Sequence, residues 1–475
     1  MIMKQAALLL LCLTLGAALH AKKPYDGKSY HITLIIEGNT DSVMYLGNYY
    51  AGGTYAIDTA WRDKKGRFVF AQTRRRVFPG LYFFTNPGGR HVDFVIYNET
   101  PDFTFTTRDD EWTVNMRVKG SKENELFFDY HRLNARLYAT LDSAAQHKTD
   151  DKAFDDYRHQ MLAAFDEAKL GIIAQHPNSF VSLMMNATRD PQVPRVSPEG
   201  DTLSRWQAWE YYMDHYFDHM RLDDDAIVRT PEAVFKKRVL DYLDRNLQGA
   251  DAETMIVYID KLIARARPSK EAYKWLVHTI TEKYLQSNVM SYDAIYVHMI
   301  KTYYAEGNYW SSPSSIETNV KRAEKWDRLL LGRNAIDLIL KDDQGTIHQL
   351  YAQRHKYTLL VFWSPTCGHC KTVIPALYEK FLQYKDRYDV GAFTILSEPD
   401  DATIPLWRQF IENHSLTDPK WIHLNGAEAN VDWHDVYDVE TTPQIYLLDK
   451  DKKIVGKKLN AETFELILQS LEGQQ

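Results

Sequence analysis

The chain has 475 residues, 44% of them hydrophobic and 13% aromatic, with a net charge of −7. That length exceeds what one hydrophobic core sustains and implies about two to four domains. The aromatic content excludes a disordered chain, and the negative balance argues against a general nucleic-acid binder.

Residues 1–21 have the form of a secretory leader: Lys4 near the start, an apolar run from Ala6 to Leu15, then small residues. The run is too short for a comfortable membrane span. Cleavage after Ala18 and cleavage after Ala21 both fit. Cys12 lies inside the run, but Leu11 stands where a lipoprotein leader needs a small residue, which disfavours a lipid anchor. Removal of the leader leaves Cys367 and Cys370 as the remaining cysteines. An exported chain with no structural disulfides and one such pair has its cysteines committed to exchange chemistry.

Residues 25–118 read as a β domain. Short apolar segments at His31–Ile36, Ser42–Tyr50, Tyr55–Asp58, Phe68–Phe70, Leu81–Phe84, Val92–Tyr97 and Phe103–Phe105 alternate with turns such as Gly38, Lys64–Arg67 and Phe78–Gly80. This spacing predicts an antiparallel β-sandwich. Arg74, Arg75 and Arg76 read as a solvated edge rather than a ligand site.

Residues 119–331 switch to helical periodicity. Met255, Ile256, Ile259, Leu262 and Ile263 fall on one face, as do Tyr273, Leu276, Val277, Ile280 and Tyr284. Breakers near Pro177, Pro191, Pro231, Pro268 and Gly307 separate about seven to nine helices. Gln192–Thr202 is the best candidate for a surface loop. His215 and His219 are four apart, but Tyr216 replaces the glutamate of a metalloprotease helix and no third ligand is evident, so packing or surface roles are preferred. His278 and His298, among apolar neighbours, read as satisfied core groups.

From residue 332 to 475 strands and helices alternate. An opening hairpin (Ile336–Leu340, Thr346–Leu350) leads to the apolar run Tyr357–Trp363, then Ser364-Pro365-Thr366-Cys367-Gly368-His369-Cys370, then a helix to about Tyr384. Strand, Cys-x-x-Cys and helix in that order place Cys367 at a helix N-terminus, where unpaired N–H groups stabilise a thiolate. Cys370 lies one turn on, within disulfide reach, so Cys367 can attack and Cys370 resolve the mixed disulfide. The competing reading is half a zinc site, which needs two further ligands; no other cysteine is near, and the redox reading is preferred. No metal or cofactor is expected.

This C-terminal third resembles thioredoxin-like proteins of the TlpA type, through the Trp363–Cys370 motif, Pro375 in the following helix, and Thr442-Pro443 before Gln444–Leu448. The β region likewise resembles the domains of unknown function that precede TlpA-like modules in envelope proteins of Gram-negative anaerobes. The resemblance implies an α/β thioredoxin fold with the TlpA insertion, and thiol–disulfide exchange with envelope proteins in the periplasm. It also implies a cis Pro443 facing the cysteines, with Thr442 and Trp363 contributing to substrate binding and His369 to tuning the thiolate. Protein thiols and disulfides are the expected partners, together with a redox protein that recharges the pair. The family's usual carboxylates are missing: Val361 and Val373 occupy their positions, and Glu398 or Glu440 could substitute only if the fold brings them near. The alternative function is an envelope binding or scaffold protein in which the redox pair is a minor or regulatory feature.

Overall fold

The computed structural model describes residues 29–72 and 76–473. The expected leader, Cys12, Arg74 and Arg75 lie outside them. The chain forms two compact units: Met1–Val193 with His215–Val239, and Pro194–Asp214 with Leu240–Gln475. The boundaries between these units fall within the helical region.

The first unit contains strands β1 (Tyr30–Glu37), β2 (Val43–Tyr50), β3 (Gly53–Trp61), β4 (Arg67–Gln72), β5 (Gly80–Thr85), β6 (His91–Ile96), β7 (Asp102–Arg108) and β8 (Arg117–Lys119). They form two four-stranded sheets, ordered β4-β1-β7-β8 and β3-β2-β5-β6. Phenylalanines from both sheets meet: Phe70 stacks on Phe84 at 5.5 Å, and Phe105 lies 5.1 Å from Phe94. The expectation of purely antiparallel pairing is corrected at one place, because β1 and β7 run parallel, with Ile32 opposite Phe103 and Leu34 opposite Phe105. A parallel pair needs a long crossover, and the intervening β2 to β6 supply it.

Helix α1 (Lys122–Gln146) starts where the Ser121 hydroxyl accepts the Asn124 N–H. Asn124 is fully buried and bonds both backbone groups of Val95 at 2.7 Å, satisfying part of edge strand β6. Helices α2 (Asp151–Gln175) and α3 (Phe180–Ala187) complete this part of the unit.

In the second unit, α4 (Arg205–His215) and α5 (Lys236–Asp241), each cut by a unit boundary, precede α6 (Ala252–Ala266), α7 (Lys270–Leu285), α8 (Asp293–Tyr303) and α9 (Pro313–Arg328). The expected faces of α6 and α7 are largely inward: Met255, Ile259, Leu262, Ile263, Leu276, Val277, Ile280 and Tyr284 are buried. Asp251, Ser269 and Ser312 cap α6, α7 and α9, with Pro313 supplying a fixed φ at the start of α9. His298 is satisfied by Asp260 at 2.8 Å. His278 corrects the reading as a core group: it is exposed, because its position lies off the apolar stripe. His215 pairs with Asp218 at 2.5 Å, also a surface arrangement.

Beyond α9 come β9 (Ile339–Lys341), β10 (Ile347–Gln349), β11 (Tyr357–Trp363), α10 (Cys370–Tyr384), β12 (Val390–Leu396), α11 (Thr403–Asn413), β13 (Trp421–Asn425), α12 (Trp433–Val436), β14 (Gln444–Leu448), β15 (Ile454–Lys457) and α13 (Ala461–Gly473). The seven strands form one sheet ordered β10-β9-β13-β12-β11-β14-β15. Central β11 is buried along its whole length: Leu359, Val361 and Trp363 enter one core and Leu360 and Phe362 the other. Burial on both faces is why its sequence reads as an unbroken apolar run.

The segment after α9 is tied to β15. Gly332 N–H donates to Ile454 O, and Ile454 N–H to Arg333 O, each at 2.8 Å. Lys457, 4% exposed at its side chain, bonds the carboxylate of Asp293 at the start of α8 and donates to Leu329 O at 2.8 Å. The second unit thus joins these helices and the sheet through a buried ion pair.

Candidate active site

Strand β11 ends at Trp363, and the turn Ser364–His369 carries the chain to α10, whose first residue is Cys370. Cys367 therefore precedes the helix by three residues instead of beginning it. Its sulfur still receives a helix N-terminal donor, the Cys370 N–H at 3.4 Å. On the other side, the Cys367 thiol donates to the carbonyl of Thr442 at 3.2 Å. Thr442 precedes Pro443 through a cis peptide bond, immediately before β14. The fold thus brings Cys367, Cys370 and Thr442-Pro443 together across 75 residues of sequence.

The two thiols have opposite surroundings. Cys367 is half-buried; burial pushes its thiol up, but the Cys370 N–H, the contact with Thr442, the Cys370 side chain and the His369 N–H outweigh this and hold it below its ordinary value. Cys370 is fully buried, and burial pushes it up to about 12, with the neighbouring Cys367 adding to the rise and a backbone hydrogen bond from Ser364 opposing it. One thiol is accessible and ionises readily. The other is enclosed and keeps its proton.

Trp363, expected at the substrate surface, is instead a core residue. It is fully buried and packs on Phe410 with ring centroids 5.0 Å apart. The reason is the strand register, which turns it to the same core as Val361 and Cys370. His369 is exposed, and what reaches Cys367 is its backbone N–H.

Val361 and Val373 offer no carboxylate, but Glu398, just after β12, does reach the motif. Its Oε2 accepts from Ser364 Oγ at 3.2 Å and from Thr366 Oγ1 at 3.3 Å, and the two hydroxyls lie 2.7 Å apart. Glu440 is exposed, and its charge acts on Lys325. Sequence reasoning names Glu398 without its partners; the alternation of Ser364 and Thr366 on one side of the turn is the available sign.

Residues 331–457 match the AhpC/TSA family, residues 30–127 match a domain of unknown function (DUF4369), and residues 166–324 match a second (DUF5106). The C-terminal domain is a thioredoxin-like domain, homologous to thiol–disulfide oxidoreductases. Thiol-disulfide oxidoreductase ResA of Bacillus cereus is 25% identical over 139 residues, covering 29% of this chain and 75% of that protein. Thioredoxin-like protein YneN of Bacillus subtilis (strain 168) is 30% identical over 120 residues, 25% of this chain and 65% of that protein. Among solved structures, a thioredoxin-like protein from Bacteroides caccae ATCC 43185 gives a TM-score of 0.47 at 22% identity, covering 59% of this chain and 98% of that one. The enzyme class these relatives define is that of thioredoxin-like thiol–disulfide oxidoreductases.

Proposed function

We propose that the protein is an exported thiol–disulfide oxidoreductase that exchanges disulfides with envelope proteins through Cys367 and Cys370. The observation that carries this reading is the asymmetry of the pair: an accessible thiol held below its ordinary value beside a buried one pushed up to about 12. The Cys367 thiolate attacks a substrate disulfide, forming a mixed disulfide and releasing one substrate thiolate. Cys370 then attacks the Cys367 sulfur, the second substrate sulfur leaves, and the Cys370 proton passes to it. Peptide substrate reaches Cys367 alongside Thr442, whose carbonyl is at the sulfur. Export to the periplasm rests on the sequence of residues 1–21 and the restriction of the mature cysteines to this pair. The N-terminal sheets, which meet through phenylalanines, are read as a sandwich.

The test is trapping in cells with the full-length Cys370→Ala protein, followed by identification of proteins disulfide-linked to Cys367. Envelope proteins with paired cysteines are expected. If no adduct forms, or if adducts persist when Cys367 is also replaced by Ser, the reading fails.

A further inference from the structure

The exchange mechanism makes no use of the Ser364, Thr366 and Glu398 cluster, yet this cluster is built into the turn that carries the nucleophile. Ser364 is 1% exposed, and all its polar groups are engaged at the site. Its carbonyl accepts the Cys367 N–H at 3.3 Å, its N–H faces the Cys370 sulfur, and its hydroxyl meets both Thr366 and Glu398. Thr366, the residue before Cys367, closes the ring: its N–H donates to Ser364 Oγ at 3.3 Å and its hydroxyl to Glu398 at 3.3 Å. A single carboxylate oxygen therefore receives both hydroxyls of the turn.

We propose that Glu398 is a positioning residue that sets the redox poise of the Cys367–Cys370 pair. Its ionised carboxylate, acceptor-only, fixes the turn through the two hydroxyls. It also places its negative charge at the hydroxyl of Thr366, the residue before Cys367. That charge disfavours the thiolate, which favours the disulfide over the reduced pair and makes the pair a weaker oxidant. The helix terminus and the carboxylate thus act in opposite directions on the same sulfur.

The inference rests on the exchange chemistry proposed above, and the experiment separates the two. Full-length protein is equilibrated in glutathione buffers and the dithiol fraction read by maleimide gel shift. If the wild type never forms an exchangeable disulfide, the function proposal itself fails. If it does, Glu398→Gln is expected to shift the equilibrium at least threefold toward the reduced pair, which is about 14 mV upward for a two-electron couple. Alkylation of Cys367 at neutral pH should quicken in the same variant. Glu398→Asp, which keeps the charge, should stay near the wild type. A structural role alone predicts the reverse order, because glutamine still accepts both hydroxyls. Should Glu398→Gln not fold, Glu398→Ala, which also removes the charge, must shift the equilibrium in the same direction. An unchanged equilibrium constant in whichever variant folds overturns the proposal.

Discussion

The polar pairs of the N-terminal sheets and the reactive sulfur of the C-terminal domain are held with different firmness. In the N-terminal unit, carboxylates are taken up by tyrosines: Tyr30 donates to Asp58 at 2.8 Å, Tyr49 to Asp93 at 3.0 Å and Tyr97 to Asp224 at 2.6 Å. Such pairs are short, neutral-to-charged and partly buried, and they hold a structure together. In the C-terminal domain, the half-buried Cys367 sulfur is met by a carbonyl at 3.2 Å and an N–H at 3.4 Å. A thiol is a weak donor and a weak acceptor, so these contacts can be exchanged for a substrate. The difference between a scaffold and a reactive site here is how firmly each polar atom is already engaged.

The sharpest way to break this comparison is to remove the loosely held atom. Cys367→Ser should abolish disulfide exchange by the full-length protein while leaving its thermal unfolding midpoint in place. In the wild type, iodoacetamide should modify Cys367 first as pH rises from neutral, since its thiol lies below the ordinary value. Cys370 should stay protected until near its value of about 12 or until unfolding. Mass-spectrometric mapping that found Cys370 labelled first would reverse the assigned roles.

A second prediction concerns a firmly engaged pair in the redox unit. Asp293→Ala strands Lys457, whose side chain is 4% exposed, without its counter-charge. Burial already lowers the lysine's pKa and raises the aspartate's, so each depends on the other to stay charged. Loss of one partner should cost about 3–5 kcal/mol in urea unfolding, and Asp293→Ala/Lys457→Met should recover most of it. A loss below about 1 kcal/mol would show that the pair does not clamp helix to sheet.

This pair also marks the limit of what the sequence discloses. The Tyr357–Trp363 strand, the Cys-x-x-Cys turn and the Gln444–Leu448 strand are legible because each depends on neighbours along the chain: an apolar run, a turn, a proline. Asp293 and Lys457 stand 164 residues apart and carry no local mark that sets them off. Trp363 misleads for a related reason. Its place in the motif suggests surface, but side-chain direction is set by strand register, which only the sheet fixes. The parallel β1–β7 pairing is likewise hidden, because a segment's apolar pattern does not say which neighbour it joins.

In the N-terminal unit a packing prediction falls at Gly47 of β2, which pairs with Phe83 of the neighbouring strand β5. A Cβ at that position would lie 2.2 Å from the ring, so the aromatic side chain occupies the space a larger residue would need. Gly47→Ala should therefore cost about 1–3 kcal/mol, measured by urea unfolding, through displacement of a packed ring. An unaffected midpoint would mean that Phe83 can move freely, and that this sheet is less firmly packed than its ring contacts suggest.

The smallest expected effect divides one residue into two parts. His369 is exposed, and its N–H, rather than its imidazole, is among the groups that hold Cys367 below its ordinary value. His369→Ala keeps that N–H, and the redox potential should change little. His369→Pro deletes it, and the backbone accepts the change, since φ at 369 is −70°. Losing a donor to the thiolate destabilises the reduced form, so the potential should fall, by up to about 30 mV if the donor contributes roughly 1.4 kcal/mol. Titration against glutathione buffers distinguishes the two substitutions. Equal shifts in both would return the tuning role to the imidazole, and with it the loose engagement of Cys367 would depend on a side chain free to move with the solvent.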